Sequence, residues 1–178
     1  MMPNKNKGFV LLISGLSGSG KSILANLLKD YLKKEKDNDI FILDGDVTRA
    51  FFDGNLAYGE EARLESGRRL MFGAHLLSET GTNVVVTCIM GNSETRKVMK
   101  DKVNFIEIFM DANIEDCIKS DPKGVYKKNI SLEKPNLRGI DMPFEKPEDA
   151  ALVLNPYKEK PEESLRKLVN FLEEKGLI

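Results

Sequence analysis

A disulfide framework, a strong charge of either sign and a long apolar run are all missing from this chain. Cysteine is scarce: Cys88 and Cys117 are the only two, with no metal spacing and no set of partners. That usage predicts two reduced core thiols in a cytoplasmic protein. Histidine is scarcer, at one residue. His75 lies inside a helical pattern four residues after Met71 and reads as a helix-face residue, because no nucleophile accompanies it at a catalytic spacing. The formal net charge is −1, so neither a nucleic acid nor a membrane surface is an expected partner. Any charge that binds phosphate must be local. No run approaches the length that spans a bilayer. Residues 1–8 are polar and the apolar stretch Phe9–Ile13 is short, so no signal peptide is expected.

Hydrophobic residues make up 41% of the 178 and charged residues 31%, which fits one soluble domain, 1–178, with a full core. Short apolar runs alternate with helical patterns. Strands are predicted at Phe9–Ser14, Ile40–Leu43, Asn83–Cys88, Phe105–Met110 and Leu152–Leu154. Helices are predicted at Lys21–Lys36, Glu60–Thr80, Ser93–Lys102, Asn113–Ser120 and Glu162–Lys175. The alternation implies an α/β fold: a doubly wound, five-stranded parallel sheet with helices on both faces. Residues 121–147 break the pattern with repeated Pro and Gly and with Lys123, Lys127, Lys128, Lys134 and Arg138, as a functional lid does.

Gly15, Leu16, Ser17, Gly18, Ser19, Gly20, Lys21 and Ser22 form a complete G-x-x-x-x-G-K-S phosphate loop. It sits between a predicted strand and a predicted helix, the context in which its backbone N–H groups can curl around a polyphosphate. Lys21 can reach the β- and γ-phosphates of ATP, and the Ser22 hydroxyl can ligate Mg²⁺. The second strand runs into Asp44-Gly45-Asp46, two carboxylates at the carboxyl end where such sheets bind ligands. If that strand neighbours the first, both lie beside the loop. One, Asp44, could hold Mg²⁺ and the other, Asp46, could take the proton of an attacking hydroxyl; both could also merely cap a short helix. Lys21, Asp44 and Asp46 are therefore the catalytic candidates.

Arg49 shares a helix face with Asp46, and Arg63, Arg68 and Arg69 follow on the long helix. Guanidinium groups near a phosphate site suit a second anionic substrate. Lys123, Lys127 and Lys128 could neutralise the triphosphate as a lid closes. Asp121-Pro122-Lys123-Gly124 formally matches D-x-x-G, but it lies far from the loop and no N-K-x-D motif exists, which argues against a GTPase switch.

Several segments together resemble adenylylsulfate (APS) kinases: Gly15–Ser22, Leu43-Asp44-Gly45-Asp46 with Arg49, Asp121–Lys128, and Gly139-Ile140-Asp141 followed by Pro143-Phe144-Glu145 and Pro147. The last two are specific to that family. The resemblance implies a P-loop kinase fold, transfer of the ATP γ-phosphate to a ribose 3′-hydroxyl, and a homodimer. It further implies Lys123 and Lys127 on the donor side. For the acceptor it implies Asp46, Arg49, Arg63, Ser66, Ile89, Met90 and Lys123, with Tyr58 and Leu137 in place of the phenylalanine pair that clamps adenine. The acceptor side departs from the family. Val47 stands for an asparagine, Ala62–Arg69 keeps the arginines but loses an aspartate and two asparagines, and Ile89-Met90-Gly91-Asn92-Ser93 replaces I-S-P-Y-R. One aromatic face lost at Leu137 weakens a purine clamp, and lost amides remove readers of a base or sulfate. The expected acceptor is thus a small nucleoside 5′-phosphoanhydride other than APS. The nearest functional type is cytidine diphosphoramidate kinase, of capsule phosphoramidate modification. The alternative is an APS kinase making 3′-phosphoadenylylsulfate in sulfate assimilation. A non-catalytic nucleotide-binding protein would need neither the paired aspartates nor the lid.

Overall fold

The computed structural model describes residues 7–52, 59–133 and 135–178. Five strands form one parallel sheet: β1 (Val10–Ser14), β2 (Ile40–Asp44), β3 (Asn83–Cys88), β4 (Ile106–Met110) and β5 (Leu152–Leu154), in the order β2-β3-β1-β4-β5. The sheet is the one the alternation predicts, with one correction. β3 stands between β1 and β2, so the strand that carries Asp44 does not neighbour the phosphate-loop strand.

Strand periodicity explains why both faces are covered. Side chains alternate sides along a strand. Leu11 and Ile13 of β1, with Val85 and Ile108, pack against α1 (Lys21–Glu35) and α7 (Pro161–Glu174). Val10 and Leu12, with Val84 and Val86, pack against α3 (Glu60–Glu79) and α4 (Ser93–Lys100). The apolar stripes do what their spacing requires: Leu168, Val169 and Leu172 of α7 are buried, as are Leu70, Met71 and Ala74 of α3. Gly67, which shares the α3 stripe, instead borders a cavity. His75 sits on α3 beside Glu79 at 3.7 Å, well away from the phosphate loop, as a helix-face residue should.

Three short helices complete the chain: α2 (Gly45–Phe51), α5 (Ile114–Ser120) and α6 (Val125–Asn129). The last corrects the irregular reading of residues 121–147. The Asp121 carboxylate accepts from the Tyr126 and Lys127 backbone N–H groups, which starts a helix that the Pro and Gly content conceals. The D-x-x-G match is simply this turn, closed by Gly124 N–H donating to Asp121 O.

One buried ion pair joins the sheet to the 121–147 segment. Arg96 of α4 and Glu107 of β4 are 4% and 2% exposed, and Arg96 Nε donates to Glu107 Oε1 at 3.1 Å. The same carboxylate oxygen accepts from Ser14 Oγ at 2.6 Å, at the root of the phosphate loop. Arg96 Nη1 donates onward to the Glu145 carbonyl at 2.7 Å. Removing one member of such a pair strands the other charge in a dry interior. Arg96→Ala is expected to lower unfolding stability by about 3–5 kcal/mol in urea melts; a loss below about 1 kcal/mol would show the pair to be solvated.

Candidate active site

The phosphate loop is built by backbone constraint. Gly15 has φ 148°, and a Cβ there would lie 2.7 Å from Ser19 Oγ and 2.8 Å from Met110 O. Only glycine lets the chain turn so sharply off β1. Leu16 and Ser19 are buried, so these two support the loop through their backbone, while Ser17, Gly18, Gly20, Lys21 and Ser22 border the phosphate cavity. Lys21 Nζ donates to the Leu16 carbonyl at 2.6 Å, which folds the ammonium back across the loop. Burial lowers its pKa to about 8, against the opposing pull of Asp46.

Asp44 is the hub of the site. It is the N-cap of α2, accepting from Asp46 N–H at 2.8 Å. Its Oδ2 also accepts from Thr87 Oγ1 at 2.7 Å and from Ser22 Oγ at 3.1 Å. So capping and ligand binding are not alternatives here; one carboxylate is placed for both. Thr87 lies on β3, and it is this intervening strand that bridges the gap between β1 and β2. Desolvation raises the Asp44 pKa, but the bonds from Thr87, Asp46 N–H and Ser22 outweigh it, and the net shift is downward. Asp44 is held ionised beside the Ser22 hydroxyl. Mg²⁺ prefers one or two protein oxygens plus phosphates and water, and this pair fits that preference. Among the described residues no cluster of three or more His, Cys, Asp or Glu forms a metal cage.

Asp46 lies two residues on, in the first turn of α2, exposed, with Lys123 Nζ donating to its Oδ2 at 2.5 Å. That bond raises the Lys123 pKa, so the lid lysine stays charged. Asp46 and Ile89 border three cavities: the phosphate cavity and two adjoining ones on its far side. The far pair share Arg49, Arg63 and Arg138; the larger is about 370 Å³ and the other reaches Ser66 and Met90. Leu137 borders the larger one. Arg63 Nη2 donates to Asn136 O at 2.5 Å, and its Nε is buried without a partner among the described residues.

Not every sequence candidate arrives. Lys127 is exposed and does not border the phosphate cavity; its backbone N–H serves the Asp121 cap. Arg68 and Arg69 turn to Glu65, Arg69 lies over the Phe52 ring at 4.7 Å, and neither borders the two arginine-lined cavities. Tyr58 lies outside the described residues. Cys88 does reach the site, but burial pushes its thiol up to about 12, as an unreactive thiol should be.

Sequence reasoning missed four features. Thr87 was hidden in a strand. Tyr126 Oη donates to the Ser17 carbonyl at 3.0 Å, hooking α6 onto the loop. Arg138 is 5% exposed despite its place in a charged segment. A fourth is a largely apolar cavity beside the loop, bordered by Gly18, Ile23, Leu24, Pro156 and Tyr157, where a base could lie. Tyr126 lies inside the quoted Asp121–Lys128 segment without being singled out there, and no motif marks the other three.

Comparison with known proteins agrees with this geometry. The family model for adenylylsulphate kinase matches residues 7–155. An adenylyl-sulfate kinase of Clostridium acetobutylicum is 36% identical over 176 residues, covering 98% of this chain and 88% of that protein. One from Pseudomonas aeruginosa is 35% identical, covering 92% and 85%. The crystal structure of a Mycobacterium tuberculosis APS kinase in complex with AMPPNP and APS superposes with a TM-score of 0.85 at 33% identity, covering 94% of this chain and 98% of that one. A shikimate kinase of Aquifex aeolicus, at 20% identity and a TM-score of 0.59, shares the fold alone.

The lowered Lys21 pKa has a sign that can be measured. A bound triphosphate requires the ammonium, so binding takes up a proton when the free group has lost one. ATP affinity should be full below pH 8 and fall as pH rises through about 8. Titration calorimetry at pH 8 in buffers of different ionisation enthalpy should give different heats; identical heats would contradict the shift. Loop, carboxylates, basic lid and comparisons converge: the chain belongs to the adenylylsulphate kinase family and is an ATP-dependent phosphotransferase with an alcohol group as acceptor.

Proposed function

We propose that the chain transfers the γ-phosphate of ATP to the 3′-hydroxyl of adenylylsulfate, yielding 3′-phosphoadenylylsulfate and ADP. The observation that carries the reading is the shared position of Asp46. One exposed carboxylate borders both the phosphate cavity and the arginine-lined cavities, so two nucleotides entering from opposite sides would meet there. The 3′-hydroxyl oxygen forms the new bond to phosphorus, its proton passes to Asp46, and the bond to the ADP oxygen breaks. Lys21 and Lys123 stabilise charge on the transferring group. Asp44 and Ser22 would hold Mg²⁺, which would supply charge neutralisation to the triphosphate. Arg49 and Arg63 would grip the acceptor's phosphoanhydride. The relatives' names favour adenylylsulfate over the cytidine acceptor.

Cytidine diphosphoramidate is kept as a second reading because of one group of side chains. Leu137 borders the larger arginine-lined cavity, where a second aromatic face would sandwich a purine, and Met90-Gly91 borders the smaller one beside it. The test is ADP release with each acceptor and with ³¹P detection of the product. Turnover of adenylylsulfate at low micromolar concentration supports the first reading. Turnover of cytidine diphosphoramidate alone supports the second, and turnover of neither overturns both in favour of a non-catalytic binder. In the active pair, Asp46→Asn is expected to lower kcat by about 10²-fold or more with a small change in the KM for ATP. A kcat within threefold of the unaltered enzyme would remove Asp46 as base.

We also propose a homodimer. Val47 and Phe51 of α2 and Phe72 and Leu76 of α3 are exposed, at 69%, 82%, 61% and 51%, and a second copy would cover them. Sedimentation equilibrium is expected to give twice the chain mass, reduced to one by Phe51→Glu; a monomer at 50 μM, near the upper working range, would contradict it.

A further inference from the structure

Arg138 has no role in the reaction just described, yet its setting is not that of a surface residue in a lid. Its side chain is 4% exposed. Nη1 donates to the Pro143 carbonyl at 2.7 Å, and Nη2 donates to Glu60 Oε2 at the first turn of α3. An isolated Arg138↔Met142 bridge fixes the backbone on either side of Gly139, which has φ 86°. The residue borders both acceptor-side cavities.

Room for this side chain comes from Gly91. A Cβ at position 91 would lie 3.1 Å from Arg138 Cδ, 3.3 Å from Arg138 Nε and 2.9 Å from the Phe144 ring. Position 91 has no left-handed backbone, so it is space and not conformation that requires glycine there. Gly91 and Arg138 are a matched pair: a small residue after β3 and a large cation seated over it.

Three guanidinium groups crowd the space beside Arg138. Arg49, Arg63 and Arg138 surround the same space, and the Arg63 pKa is lowered by burial first and then by its two guanidinium neighbours. The carboxylates that act on Arg63 in the other direction are Glu60 and Asp141. Glu60 is half exposed, and Asp141 is engaged with the Asn136 and Leu137 backbone N–H groups. Asp46, the one carboxylate that borders the cavities among the described residues, is held by Lys123. A guanidinium has five N–H donors in a planar fork, suited to a phosphate or sulfate oxygen pair. Buried Arg63 Nε still lacks an acceptor among the described residues. An anion in that space would meet three guanidinium groups and the unpartnered Arg63 Nε donor.

We propose that Arg138 is a specificity-determining residue of the acceptor site, its guanidinium seated over Gly91 to recognise the anionic 5′-phosphoanhydride of the acceptor alongside Arg49 and Arg63. The inference rests on the two-nucleotide reading above and specifies its acceptor side. The alternative is a brace that ties the lid to α3 through Glu60 and touches no substrate.

The two differ in what they do to charge recognition. With the phosphate loop saturated by Mg-AMPPNP, the affinities of adenylylsulfate and adenosine are measured by calorimetry for the unaltered protein, Arg138→Met and Gly91→Ala. If the unaltered protein binds cytidine diphosphoramidate instead, that compound and cytidine serve as the pair. Arg138→Met should weaken the anionic acceptor at least tenfold and the bare nucleoside less than threefold, with the ATP KM within threefold. Gly91→Ala, which displaces Arg138 without deleting it, should shift the ratio in the same direction. Equal weakening of acceptor and nucleoside, or an unchanged ratio in Gly91→Ala should Arg138→Met fail to fold, would overturn the proposal in favour of the brace. Failure of the unaltered protein to bind either acceptor would instead overturn the functional reading on which the proposal stands.

Discussion

Three hydrogen bonds converge on the Asp44 carboxylate, and the site is organised around that convergence. Ser22 brings the start of α1, Thr87 brings β3, and the Asp46 N–H brings the first turn of α2. A carboxylate that accepts several bonds stays ionised even when half-buried. It thereby fixes the phosphate loop relative to the second aspartate without any direct contact between β1 and β2. The Asp44–Gly45–Asp46 spacing then sets Asp46 outward, at the junction of the donor and acceptor cavities.

The lid is tied to this centre at several points, each by a different interaction. Tyr126 donates to the Ser17 carbonyl of the loop, Lys123 to Asp46, and Arg96 to the Glu145 carbonyl from within the core. The first two contacts lie where a polyphosphate would come. The third lies deep, and through Glu107 it ends on Ser14 at the root of the same loop. Both ends of the segment from 121 to 147 are thus referred to one structure, the turn after β1. This is how a chain with almost no net charge gathers cations into one cleft: Lys21, Arg49 and Arg63 come from α1, α2 and α3, and Lys123 and Arg138 from the 121–147 segment.

The sheet and its helices were legible because their signals are local. Val10–Ile13 and Val84–Val86 are unbroken apolar runs, and the α7 stripe repeats at helical spacing. The phosphate loop was legible because glycine positions and a Lys-Ser pair are constrained by backbone geometry. Strand order was not, since nothing in Ile40–Asp44 says which neighbour it takes; that depends on long-range pairing. Arg138 was illegible for a related reason. A charged residue in a Pro/Gly-rich stretch reads as solvated, and only the glycine at distant position 91 makes its burial possible. Lys127 shows the opposite error: a lysine in the right segment, one helical step from the cavity, pointing to solvent.

The central claim is that donor and acceptor meet across Asp46. Its most direct test is a crystal structure with ADP, Mg²⁺ and the turned-over acceptor bound together. The account predicts ADP phosphates on the Gly15–Ser22 backbone and the acceptor's 3′-oxygen within hydrogen-bond distance of Asp46, with Lys123 moved from that carboxylate toward the phosphates. An acceptor bound elsewhere, with the Lys123–Asp46 pair intact beneath both ligands, would contradict it.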